Sequence, residues 1–163
     1  MIFLEIKSGI DIIEVSRIKK SIEELGESFI NKIFTDEEIE YCKNTKKMMY
    51  QHYAARFAAK EATFKAISSL LKDKYSISWK NAQVKNDETG KPHLQLVNID
   101  ESIKEQLSCI ESIDISLAHI KEYAIASVVI GIRDQNESLG SGTNDSKMNR
   151  LCLTPTVQKK ERK

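Results

Sequence analysis

The chain has 163 residues, with 25 Lys+Arg against 24 Asp+Glu and a formal net charge of +1. That length holds one hydrophobic core and a short extension, and near-neutrality excludes the strong positive field that gathers proteins on nucleic acid or anionic membranes. Cys42, Cys109 and Cys152 are odd in number and lack metal-ligand spacing, which excludes a secreted disulfide framework and fits a reducing cytoplasm.

The N-terminal stretch MIFLEIKSGIDIIEV is interrupted by Glu5, Lys7, Asp11 and Glu14, so it reads as neither a signal peptide nor a membrane span. Its β-branched residues Ile10, Ile12, Ile13 and Val15 predict a strand buried on both faces. Ser16 is placed to cap a helix running through Arg17, Ile18, Ile22 and Leu25 and stopping near Gly26. Phe29, Ile33 and Phe34 form a short apolar turn or helix, and Thr35 with Glu38 is a capping box that opens a helix over TDEEIEYCKN. After a basic turn at Lys46 and Lys47, an alanine-rich stretch without Gly or Pro predicts a long helix from about Tyr50 to Leu71. SISWKNAQVKND and HLQLV read as strands around the turn ETGKP, followed by a polar helix near Glu101 to Leu107. SIDISLAHI and YAIASVVIGI pair as a hairpin around a Lys-Glu turn. From residue 134 the composition turns polar, giving a domain over 1–133 and a flexible tail over 134–163.

Two carboxylates stand among apolar neighbours. Asp11 lies between Ile10 and Ile12, and Glu61 shares a helix face with Phe57 and Phe64. If the first strand packs on the long helix, both can meet at one point and hold a hard cation such as Mg²⁺ with phosphate and water oxygens. The plainer alternatives are a Glu61 paired with Lys or Arg or reaching solvent, and an Asp11 bonded to backbone at a strand end. Arg56, Lys60 and Lys65 form either a solvated flank or a diphosphate-neutralising group. His119, at a strand end, is structural or catalytic. No Walker or Rossmann glycine loop is present.

GIDIIEVSRI, RFAAKEATFKAI, ETGKPHLQL and ISLAHIKEYAIASVVI, in this order across roughly residues 1–133, resemble the holo-acyl-carrier-protein synthase family, the short-chain branch of the 4'-phosphopantetheinyl transferases. The resemblance implies an α+β fold, with a long helix packed on an antiparallel sheet, and a homotrimer with sites at subunit interfaces. It implies transfer of 4'-phosphopantetheine from coenzyme A to a serine of apo-acyl-carrier protein, releasing adenosine 3',5'-bisphosphate. By motif position, Asp11 and Glu61 resemble Mg²⁺ ligands, and Glu61, Lys65 and Lys60 resemble catalytic residues. Arg56, Lys60, Ser68, Ser69 and His119 correspond to the coenzyme A site, and Arg17 with Lys20 to the carrier contact. The base for the carrier serine is left open between Glu61 and a water on the metal. Two departures from the family pattern stand out: Ile67-Ser68-Ser69-Leu70-Leu71 replaces a Gly-Thr-Gly turn, and Glu23, Glu24 and Glu27 follow the basic start of the first helix. A non-catalytic coenzyme A or carrier-protein binding module is the alternative from another class.

Overall fold

The structure, a computed structural model, describes residues 4–73 and 75–133. The expected tail over 134–163 lies outside the described residues. The elements in chain order are β1 (Leu4–Glu14), α1 (Val15–Leu25), α2 (Glu27–Ile33), α3 (Asp36–Asn44), α4 (Met49–Ile67), β2 (Ala82–Asn86), β3 (Pro92–Leu96), α5 (Glu101–Gln106), β4 (Ile110–His119) and β5 (Tyr123–Arg133). β1, β5 and β4 form an antiparallel three-stranded sheet in that order, and β2–β3 is a separate hairpin. The expected α+β architecture, with a long helix on an antiparallel sheet, is what the chain adopts.

α4 is the axis of the molecule. Ala54, Ala55, Ala58, Ala59, Ala62 and Ala66 are all buried, and their small side chains let neighbouring backbones approach from several sides. β1 comes closest at Gly9, where an added Cβ would stand 1.9 Å from the Ala62 carbonyl oxygen. That obstacle is helix backbone and cannot rotate away. Gly9→Ala is therefore expected to push β1 off α4 and to lower unfolding free energy by at least the roughly 1–3 kcal/mol typical of overpacked cores. A urea midpoint unchanged from the parent chain would show that the contact does not set the packing.

Several sequence expectations need correction. Ser16 does not cap α1: the helix starts at Val15, Glu14 occupies the cap position without a side-chain bond, and Ser16 Oγ donates instead to Glu14 Oε2 at 3.4 Å. β1 runs straight into α1, and the Val15 N–H is satisfied by the Glu122 carbonyl at 2.8 Å, so the junction is stabilised by the β4–β5 turn. α1 does stop at Gly26, whose φ of 58° suits glycine. α4 ends at Ile67 and gives way to a 3₁₀ turn over Ser68–Leu70, short of the expected Leu71. The strand expected over SISWKNAQVKND is confined to β2, because Asn81 Oδ1 accepts from the Ser78 amide and hydroxyl at 2.7 and 2.8 Å and winds Trp79–Asn81 into a 3₁₀ turn.

β1 is covered on one face only. Gly9 and Ile13 face α4, whereas Ile6, Ile10 and Ile12 are 56, 60 and 63 % exposed. Ile10 stands opposite Ser127 and Ile12 opposite Ile125 in the register with β5, where Tyr123 and Val129 are also exposed. One broad apolar face of the sheet is thus left open among the described residues.

Candidate active site

The packing of β1 on α4 at Gly9 determines what lies two residues further along the strand. Asp11 comes to the α4 surface, where Lys65 Nζ donates to Asp11 Oδ1 at 2.7 Å and to the Ile10 carbonyl at 2.9 Å. Glu61 precedes Lys65 by one helical turn and is half-buried. Its pKa is raised, first by burial and then by the negative charge of Asp11, with Lys65 opposing. Asp11, Glu61 and Lys65 therefore form one electrostatic group. Both carboxylates are hard oxygen donors. No group of three or more His, Cys, Asp and Glu among the described residues could hold a metal ion by itself. The pair suits a cation that completes its shell with phosphate and water oxygens, the habit of Mg²⁺.

A second cluster assembles around Arg56. Its guanidinium carbon lies 3.9 Å from the centre of the Tyr41 ring, and Nη2 donates to Asn86 Oδ1 at 2.7 Å. Arg56 is 3 % exposed, and its Nε has no partner in the structure. It lines a cleft of ≈ 250 Å³ with Tyr41, Asn44, Lys85 and Asn86 and with the carboxylates of Glu37 and Glu40. One turn earlier on α4, His52 packs against both Tyr41 and His119 with ring centroids 5.3 Å apart in each pair. Thr45 Oγ1 lies 2.9 Å from both the Cys42 carbonyl oxygen and His52 Nδ1 and is hydrogen-bonded to each. Burial, Arg56 and His119 lower the His52 pKa from 6.5 to about 4. The native state then holds fewer protons than the unfolded chain between these values, and the stability gained from neutral His52 is present above pH 6.5 and lost as pH falls towards 4. His52→Phe is expected to flatten this part of a stability-against-pH curve measured by urea unfolding; an unaltered slope would contradict the assignment.

Lys60 does not join either group, correcting the expectation that it contacts coenzyme A phosphates or acts in catalysis. Lys60 and Glu38 are both fully buried and form an ion pair at 2.8 Å. Lys60 Nζ also donates to the Trp79 carbonyl at 3.0 Å and to the Ala82 carbonyl. All three ammonium donors are therefore spent on protein oxygens. Ser68 and Ser69 are exposed in the turn after α4, and Ser68 Oγ donates to the Lys65 carbonyl at 3.0 Å. Arg17 and Lys20 are exposed on α1, where Lys20 pairs with Glu24 and Lys19 with Glu23, each at 3.7 Å. Tyr41, His52 and Asn86 were missed from sequence. Of these only His52, four residues before Arg56 on the same helix face, left a readable signal.

A sequence model of the 4'-phosphopantetheinyl transferase superfamily matches residues 7–128. The holo-[acyl-carrier-protein] synthase of Ruminiclostridium cellulolyticum is 41% identical over 131 residues, covering 80% of this chain and 96% of that protein. Its counterpart from Halothermothrix orenii is 43% identical, covering 74% and 93%. The crystal structure of the Bacillus anthracis synthase in complex with CoA (3',5'-ADP) superimposes with a TM-score of 0.61 at 32% identity, covering 77% of this chain and 96% of that one. A long helix on an antiparallel sheet, shared with a synthase structure that covers 77% of this chain, defines the class as the 4'-phosphopantetheinyl transferase fold. The chain belongs to the 4'-phosphopantetheinyl transferase superfamily, in its holo-[acyl-carrier-protein] synthase branch.

Proposed function

We propose that this chain transfers 4'-phosphopantetheine from coenzyme A to a serine of apo-acyl-carrier protein, using Mg²⁺ held by Asp11 and Glu61. The carrying observation is the meeting of these two carboxylates beside Lys65, on a scaffold shared with holo-[acyl-carrier-protein] synthases. In the reaction the serine oxygen forms a bond to the phosphorus that bears pantetheine. The bond from that phosphorus to the bridging oxygen breaks, its electron pair leaves with adenosine 3',5'-bisphosphate, and the serine proton passes to a base. When bound, Mg²⁺ supplies Lewis-acid stabilisation of the diphosphate.

The chain's own residues divide the remaining work. Lys65, tethered to Asp11 at 2.7 Å, brings an ammonium to the phosphoryl oxygens. Arg56 offers its unpartnered Nε to an anionic group of the nucleotide in the cleft, where Lys85 is paired with Glu37 at 3.2 Å, with His119 close by through His52. In the turn after α4 Ser69 gives a hydroxyl donor, the Ser68 hydroxyl being bonded to the Lys65 carbonyl. Arg17 and Lys20 face the carrier, their field reduced by the Lys19–Glu23 and Lys20–Glu24 pairs. The open sheet face carrying Ile6, Ile10, Ile12 and Val129 supports a homotrimer in which other copies cover it. Ile10→Glu is expected to release monomers in sedimentation and to lower transfer with them; a variant that stays trimeric would place the interface elsewhere.

The deciding experiment is intact mass spectrometry of apo-acyl-carrier protein incubated with this chain, coenzyme A and Mg²⁺, beside an EDTA control. The expected result is a gain of one phosphopantetheinyl group that EDTA abolishes. Coenzyme A binding without any gain would instead favour a non-catalytic binding module.

A further inference from the structure

We infer that Trp79 is a positioning residue for Glu61: its indole lies lengthwise over the stems of Lys60 and Glu61 and limits the rotamers from which the carboxylate meets Asp11. The inference rests on the assignment of Asp11 and Glu61 as cation ligands made above, and nothing in the motifs marks residue 79.

Residues at i, i+3, i+4 and i+7 form a lozenge on a helix surface. On α4 its corners are Phe57, Lys60, Glu61 and Phe64. The Trp79 ring stacks on Phe57 at 5.0 Å with an interplanar angle of 27° and meets Phe64 at 5.2 Å with an angle of 62°. The two phenylalanines lie seven residues, roughly 10.5 Å of helical rise, apart, and the indole bridges them. A ring that touches both ends of the lozenge crosses its middle, which is occupied by Lys60 and Glu61.

The indole cannot easily slide away, because its backbone is pinned on both sides. Lys60 Nζ donates to the Trp79 carbonyl at 3.0 Å. Asn81 Oδ1 accepts from the Ser78 amide at 2.7 Å, which closes the turn containing Trp79. Glu61 is thus held from one side by an aromatic wall tied to the core through Lys60 and closed on its outer side by the exposed Ser78–Asn81 turn. An acidic side chain with several free torsions loses that freedom when it binds a cation, and a wall that removes it in advance favours binding.

The test uses the full chain with coenzyme A and Mn²⁺ as a paramagnetic stand-in for Mg²⁺, free Mn²⁺ being read by electron paramagnetic resonance. Trp79→Leu is expected to weaken Mn²⁺ binding roughly three- to tenfold, the scale of freeing one rotamer-rich side chain. Trp79→Phe, which retains a ring too small to reach both phenylalanines, should fall between Trp79→Leu and the parent chain. A purely structural tryptophan would lower the melting temperature and leave Mn²⁺ affinity unchanged, and that result overturns the inference. If Trp79→Leu loses its helical circular dichroism, the unmutated chain decides, since Trp79 is its only tryptophan. Emission quenched by Mn²⁺ with the midpoint seen by resonance supports the placement; emission unchanged with Mn²⁺ bound overturns it. Transfer to the carrier enters neither readout. A chain that binds Mn²⁺ next to Trp79 but transfers nothing would sink the proposed function and leave this inference standing.

Discussion

Glu61→Gln is expected to slow phosphopantetheinyl transfer about 10²–10³-fold, while the folded chain in EDTA becomes no less stable than the parent. The rate loss follows from removing one of two anionic oxygen donors at a site asked to supply several kcal/mol of charge stabilisation, at a tenfold change per 1.36 kcal/mol. The stability expectation has a different origin. Burial and the neighbouring Asp11 both disfavour the charged form of Glu61, and the opposing Lys65 is bonded to Asp11. Without a bound cation, this carboxylate is therefore a liability, and an uncharged amide of the same shape relieves it. Intact-mass kinetics and urea unfolding in EDTA would measure the two effects separately. A destabilised variant that still transferred at the parent rate would show Glu61 to be a structural partner of Lys65 and not a ligand.

How much of this was legible in the sequence depended on whether a contact was local. The capping box of Thr35 and Glu38 spans three residues and forms as read, with the Thr35 amide 2.9 Å from Glu38 Oε2. Asp11 and Glu61 could be singled out because each is a charge in an apolar pattern of known period, and packing of β1 on α4 puts Asp11 within electrostatic reach of Glu61. The second partners of Glu38 were invisible. Its Oε1 accepts from the Val84 amide at 2.9 Å across 46 residues, and nothing in the capping pattern announces that. Of the two readings of Lys60, a solvated flank or a diphosphate-neutralising group, the solvated flank fails because α4 is buried on several sides. The outer face of β1 carried the opposite error. Ile10 and Ile12 look like core residues, and a sequence cannot say whether its own chain or another copy covers them.

Lys60→Met is expected to lower unfolding free energy by about 3–5 kcal/mol, the range for removing one partner of a buried ion pair. Methionine fills nearly the same volume, so the loss reports chemistry more than packing. Glu38 would remain in the core with the Thr35 and Val84 amides as donors but with no cation beside it. The loss is that of leaving a buried carboxylate without its cation. Adding Glu38→Gln should recover part of the loss, since the amide oxygen can still accept from the Val84 N–H while the buried charge is gone. The double-mutant cycle then isolates the coupling between the two side chains. The same variant separates two roles for Lys60. A phosphate ligand, when lost, would raise the KM for coenzyme A in molecules that remain folded. A core lysine with its three donors on Glu38, Trp79 and Ala82 leaves that KM unchanged at a temperature where the variant is still native. A raised KM with undiminished stability would return Lys60 to the coenzyme A site.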